Sequence, residues 1–138
     1  MTPTQIEIVR RTWHRVSPVS ERVAAVFYER LFELDPGSRA FFGGVDLREH
    51  GRKLIGAISA VLDLLDQPEE LLTVIGDAGR RHAGRGVGWR HYGMAADALF
   101  TALECCLGSA FNTEARAAWS VAYWIAARAM QRAAAQVA

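Results

Sequence analysis

Apolar residues recur along this chain at intervals of three and four, the spacing that gathers side chains on one face of an α-helix. Ile6, Val9, Trp13 and Val16 form the first such stripe. Thr2-Pro3-Thr4-Gln5 opens it with an N-cap threonine, proline at the first helical position and glutamine three residues after the cap. Ser17-Pro18 interrupts, because the residue before a proline is pushed out of the α region. A second stripe follows, with Val23, Phe27 and Leu31 flanked by Ala24, Tyr28 and Phe32, and runs to about Leu34. Tyr28 is the only polar group on that face.

Asp35-Pro36-Gly37-Ser38 reads as a turn leading into a short helical piece that ends at Phe41-Phe42, and Gly43-Gly44 allows a sharp change of direction. From about Asp46, the residues Leu47, His50, Leu54, Ile58, Val61 and Leu65 predict a helix of roughly twenty residues. Asp66-Gln67-Pro68 breaks the pattern. Leu71, Leu72 and Ile75 resume it in a shorter helix that ends with His82, ahead of glycines 84, 86 and 88. Two long helices complete the chain: Tyr92, Ala96, Leu99, Leu103 and Cys106 mark the first. Gly108 and Asn112-Thr113-Glu114 separate it from the second, with Ala115, Trp119, Ala122, Ala126 and Ala129. The alanine-rich tail after Met130 is expected to fray. No strand, repeat or low-complexity tract stands out, so the fold class is all-α.

Composition narrows the function more than the fold. The chain has 138 residues, enough for one domain spanning 1–138 and one core. Hydrophobic residues make up 51% and charged residues 22%, with a formal net charge of +1, which argues against nucleic acid as the main partner. There is no charged-then-apolar start and no apolar run of about 20 residues, so a membrane is not expected and the location reads as cytoplasmic. Cys105 and Cys106 are adjacent, with Cα atoms about 3.8 Å apart, below the usual disulfide range of about 4.4 to 6.8 Å. They read as small helical residues, not as a bridge.

Chemistry enters with two histidines. Ile75, Ala78 and Gly79 precede His82 by seven, four and three positions, so its imidazole leaves the face that carries the apolar stripe and is expected to look inward. An inward imidazole needs a partner for each ring nitrogen, and no carboxylate lies within helical reach on that face. His82 is therefore either a satisfied core histidine or a metal ligand. His50, 32 positions upstream (82 − 50), sits one turn before Leu54 on another apolar face. Arg80, Arg81 and Arg85 accompany His82, and Arg48, Arg52 and Lys53 accompany His50, so the positive clusters fall where the histidines are. A bound anion between them or two solvated helix faces would each account for this.

Trp13 in the first helix, Phe42 at a corner, His50 four residues before Leu54, and His82 followed by Gly86-Val87 together resemble a globin. The pattern is most similar to bacterial single-domain globins and the globin part of flavohaemoglobins, through Phe27-Tyr28 before Leu31-Phe32, the 32-residue histidine spacing, and Tyr92 ten residues after His82. The resemblance covers almost the whole chain. It implies a b-type haem between the helices of His50 and His82, with His82 as the proximal iron ligand donating its other ring N–H to a backbone carbonyl. Phe42 would pack flat on the porphyrin. Leu54, Val87 and Leu99 would close the apolar walls, and Lys53, Arg52 and Arg85 are candidates for the haem propionates.

The resemblance also implies a distal side made by Tyr28, His50 and Leu54. O2 at the iron draws electron density from the metal, so a buried donor stabilises it; a hydrogen bond to a charged acceptor is worth roughly 1.5–3 kcal/mol. Release should then slow by an order of magnitude or more, since about 1.4 kcal/mol is a factor of ten. Alternatively, His50 takes the sixth position itself, giving a bis-histidine state with a redox or gas-sensing role. Two departures from the flavohaemoglobin pattern matter: that pattern has glutamine where His50 stands, and a glutamate in the last helix where this chain has Ala134. Tyr92 is retained, but without that carboxylate His82 is less electron-donating, which favours reversible binding and oxygen transport over peroxidase-like activation. With the sequence ending at Ala138, no reductase domain is expected, and NO dioxygenation would need an external reductase. The expected ligands are O2, with NO or CO at the same site, on a monomer or homodimer. A globin-like signalling module without haem is the third reading.

Overall fold

The computed structural model describes residues 1–136; residues 137–138 lie outside the described part. Six α-helices carry the fold: α1 (Pro3–His14), α2 (Ser20–Leu34), α3 (Leu47–Asp63), α4 (Pro68–Gly84), α5 (Trp89–Leu107) and α6 (Thr113–Ala135). Short 3₁₀ segments fill Ser17–Val19, Pro36–Phe42 and Gly108–Ala110. No strand occurs among the described residues, which makes the fold all-α. None of the described helices is long and apolar enough to cross a membrane.

Local chemistry sets the helix ends. Thr2 Oγ1 accepts from the Gln5 N–H at 3.1 Å and Gln5 Oε1 accepts from the Thr2 N–H at 2.9 Å, so the expected capping box forms. Asp46 caps α3 by accepting from the Arg48 N–H, and Asn112 caps α6 by accepting from the Ala115 N–H. Three expectations need adjusting. Pro18 starts a 3₁₀ turn, and α2 begins only at Ser20. The third helix is shorter than twenty residues: it stops at Asp63, so Leu65 lies beyond it, and α4, starting at Pro68 as proline at a first turn allows, equals it at 17 residues. The alanine-rich tail continues as helix to Ala135, with Ala127 and Ala133 buried. Alanine is the best helix former, and these alanines gain a neighbour in α4.

Packing follows the stripes. α2 lies against both α3 and α5, and all six of its stripe residues are buried: Val23, Ala24, Phe27, Tyr28, Leu31 and Phe32. Fully burying a Val, Leu or Phe side chain is worth ~1.5–3 kcal/mol, so this one face is a main contributor to the core. α1 packs on α6, where Trp13 meets Trp119 at 5.7 Å between ring centroids, and Trp13 Nε1 donates to Ser59 Oγ of α3 at 2.8 Å. α4 packs on α6 as extensively as α2 packs on α5, while α3 and α4 have little contact with each other. The helices of His50 and His82 are thus held from outside by different partners.

Candidate functional site

α3 has a pronounced apolar stripe yet buries only Gly51 and Leu62. Leu47, His50, Leu54, Ile55 and Ile58 stay half-buried along it. His50 comes close to α2 because Gly51 follows it: a Cβ at Gly51 would lie 2.9 Å from the Ala24 Cβ and 3.6 Å from the Tyr28 ring. That close approach brings His50 Nδ1 to 2.5 Å from Tyr28 Oη. Phe42, delivered by the 3₁₀ segment before α3, stands edge-on to both, with centroids 5.0 Å from His50 and 5.5 Å from Tyr28. Phe32 closes the group at 5.8 Å from Phe42.

This surrounding sets the charge states. Burial pushes the Tyr28 phenol up to about 12, so it keeps its proton through the neutral range. Burial also lowers the His50 imidazole, reinforced by the positive charges of Arg85 and Lys53 nearby. His50 is therefore a neutral ring with one proton to place. Arg85 and His82 from the end of α4 and Lys53 from α3 all act on His50.

His82 occupies the last turn of α4. Its Nδ1 lies 2.6 Å from the Ala78 carbonyl oxygen. A carbonyl only accepts, so Nδ1 carries the proton and Nε2 presents its lone pair. The Val87 N–H donates back to the His82 carbonyl at 3.0 Å, and Gly86 turns the chain there with φ +87°, a value that glycine adopts without strain. Tyr92, buried on α5, lies beside the imidazole at 6.4 Å between centroids and 32° between planes. His82 itself is exposed. α4 rests on α6 through Ile75, Gly76 and Gly79, which are buried, and His82 lies one turn further along, past that seat.

The other expected wall residues divide by burial. Leu99 is buried, Phe42, Leu54 and Val87 are half-buried, and Lys53 and Arg85 are exposed. The Arg52 guanidinium lies 3.7 Å from Glu21, which also takes Arg48 at 3.5 Å. Arg80 is likewise engaged by Asp77 on its own helix. An open cleft of about 320 Å³ lined by Arg10, Trp13, His14 and Ser59 contains none of these residues.

Three residues of this region escaped the sequence reading: Gly51, Gly79 and Tyr123, whose hydroxyl donates to the Tyr92 carbonyl at 2.6 Å. Only the glycines carried a signal, since glycine inside a helix is unfavourable unless a neighbour needs the space.

The family profile described as Globin matches residues 25–130, which is most of the chain. The chain belongs to the globin family. Among its relatives, the neuroglobin of Tetraodon nigroviridis is 27% identical over 139 residues, covering 91% of this chain and 87% of that protein. The neuroglobin of Danio rerio is 28% identical over 138 residues with the same coverage, and that of Dissostichus mawsoni 27%. These are vertebrate proteins, so the resemblance expected to bacterial single-domain globins is carried only as far as the family. Family membership makes this a haem-binding, gas-binding globin. The donor set fits a haem: an imidazole with a free Nε2 lone pair, half-buried apolar side chains on α3, and a neutral Tyr–His pair.

Proposed function

We propose that this globin binds O2 reversibly, with NO and CO as competing ligands, on a b-type haem held by His82. The haem supplies, when bound, an iron that takes up a diatomic gas. His82 would ligate that iron through Nε2. Its Nδ1–H, donated to Ala78 O, orients the ring and adds to its basicity. Phe42, Leu54, Val87 and Leu99 would contribute apolar surface to the haem. Lys53 and Arg85 would be the cations nearest its carboxylates; no ion pair of either occurs among the described residues. Tyr92 would pack against the proximal ring.

The observation that carries this reading is the 2.5 Å contact between Tyr28 Oη and His50 Nδ1. It couples two protons. When Tyr28 donates to Nδ1, the His50 proton sits on Nε2 and that N–H is a donor for a gas molecule carrying negative charge. When Nδ1–H donates to the phenol oxygen, the Tyr28 O–H is released for the same task. Either way one donor is available in a neutral, half-buried setting, where such a bond is worth roughly 1.5–3 kcal/mol.

The second arrangement also favours another reading, because it leaves a lone pair on His50 Nε2. His50 could then occupy the sixth iron position, and gas would bind only after it leaves. The visible spectrum of the ferrous, ligand-free protein beside a His50→Ala variant separates the two. A sharp split band that turns broad in the variant assigns His50 to the iron. A single broad band in both assigns Tyr28 and His50 to the gas. A haem-loaded protein that forms no stable oxygenated species would refute the O2-binding reading.

A further inference from the structure

We propose that α6 sets the position of the His82 imidazole, through a backbone seat at Gly79 and a hydrogen bond from Tyr123, making Gly79 and Tyr123 positioning residues for the proximal ligand. This rests on reading His82 as the iron ligand. A Cβ at Gly79 would lie 2.2 Å from Met130 O, 2.6 Å from Met130 Cα and 2.7 Å from Met130 C. All three are backbone atoms in the interior of α6, so they cannot swing aside as a side chain would. One turn earlier the approach is already ordinary: a Cβ at Gly76 would meet the Ala133 Cβ at 3.6 Å and the Arg80 guanidinium at 3.5 Å. The contact is therefore a single tight seat, not a generally small-sided face.

The seat lies where it controls the imidazole. Gly79 directly follows Ala78, whose carbonyl accepts from His82 Nδ1, and precedes His82 by three residues. A shift of the α4 backbone at Gly79 moves that carbonyl and the Cα of His82 together. α6 reaches the opposite flank as well. The Tyr123 hydroxyl donates to the Tyr92 carbonyl at 2.6 Å, which ties α6 to the first turn of α5, where the Tyr92 ring lies beside His82. The proximal ring is thus registered from one helix on two sides.

The test uses haem-reconstituted protein and reads the iron–imidazole stretching frequency of the ferrous, ligand-free form by resonance Raman, together with the rate of haem loss to an acceptor apoprotein. Gly79→Ala should shift the frequency and speed haem loss about tenfold, the effect typical of disturbing the support of a metal ligand. Tyr123→Phe, nearly isosteric, should shift it in a smaller degree. Gly84→Ala, on the same helix but with nothing within 4 Å of its Cβ, should do neither. If Gly79→Ala fails to fold or to hold haem, Tyr123→Phe carries the test. Wild-type frequencies in every variant that holds haem overturn the proposal. A wild-type protein that takes up haem but shows no iron–imidazole band overturns the reading of His82 itself, and the proposal with it.

Discussion

The junction of α3 with α2 and that of α4 with α6 solve one problem in two ways. Each seats a histidine-bearing helix on a neighbour by means of a glycine. A Cβ at Gly51 would lie 2.9 Å from the Ala24 methyl, and one at Gly79 would lie 2.2 Å from the Met130 backbone. The first junction carries a cage of aromatic rings and a hydrogen bond between side chains of different helices, Tyr28 to His50. At the second, the His82 ring bonds only to its own helix, through Ala78 O. On the proposed reading the difference separates tasks: the α3 side would share a proton between two groups, whereas the α4 side would hold one nitrogen lone pair in one orientation.

The strongest test of that division removes the lone pair. His82→Ala should abolish axial imidazole ligation, read as loss of the histidine-ligated spectrum after haem addition, while His50→Ala retains haem. Equal haem uptake and unchanged spectra in both variants would mean that the two sides are not divided in this way.

The next effect concerns the seats. Gly79→Ala should lower the unfolding free energy of the haem-free chain by about 1–3 kcal/mol or more, as overpacking against rigid atoms does. Gly51→Ala should cost clearly less, because two methyl groups can part by a few tenths of an ångström and the helix regains about 1 kcal/mol of propensity. Urea unfolding of the two variants gives the ranking, and the reverse order would show that the α3 seat is the stiffer one.

Tyr28→Phe addresses the proton. With one donor of the pair deleted, the O2 dissociation rate should rise about tenfold, equivalent to about 1.4 kcal/mol. Stopped-flow displacement by CO measures it. A rate within twofold of wild type would assign stabilisation to His50 alone.

The smallest effect is alkaline. The Tyr28 phenol is raised from 10.0 to about 12 in the folded chain. Between those values the unfolded chain has lost this proton and the folded one has kept it, so stability falls as pH rises through the window. Unfolding curves of the haem-free protein should show a shallower decline from pH 10 to about 12 in Tyr28→Phe than in wild type. Parallel declines would place the phenol in an environment like that of the unfolded chain.

The chain's own pattern went far toward the helices. Spacing of three and four named every buried residue of α2, and the Thr2–Gln5 box was legible because it depends on four consecutive residues. It also picked out His50 and His82 as the residues to watch. Periodicity reports which face of a helix a residue is on and not how far along that face the neighbour extends. Nor does it show that Glu21, 31 positions away (52 − 21), lies 3.7 Å from the Arg52 guanidinium.

By itself, then, the sequence determined an all-α chain, the number of its long helices, and two histidines on different apolar faces, all of which rest on interactions between residues a few positions apart. Tertiary structure alone decided that Tyr28 meets His50 and that two mid-helix glycines are seats against α2 and α6. Those outcomes depend on ångström-scale approaches between helices remote in the chain, and a residue's local pattern holds no record of what packs against it.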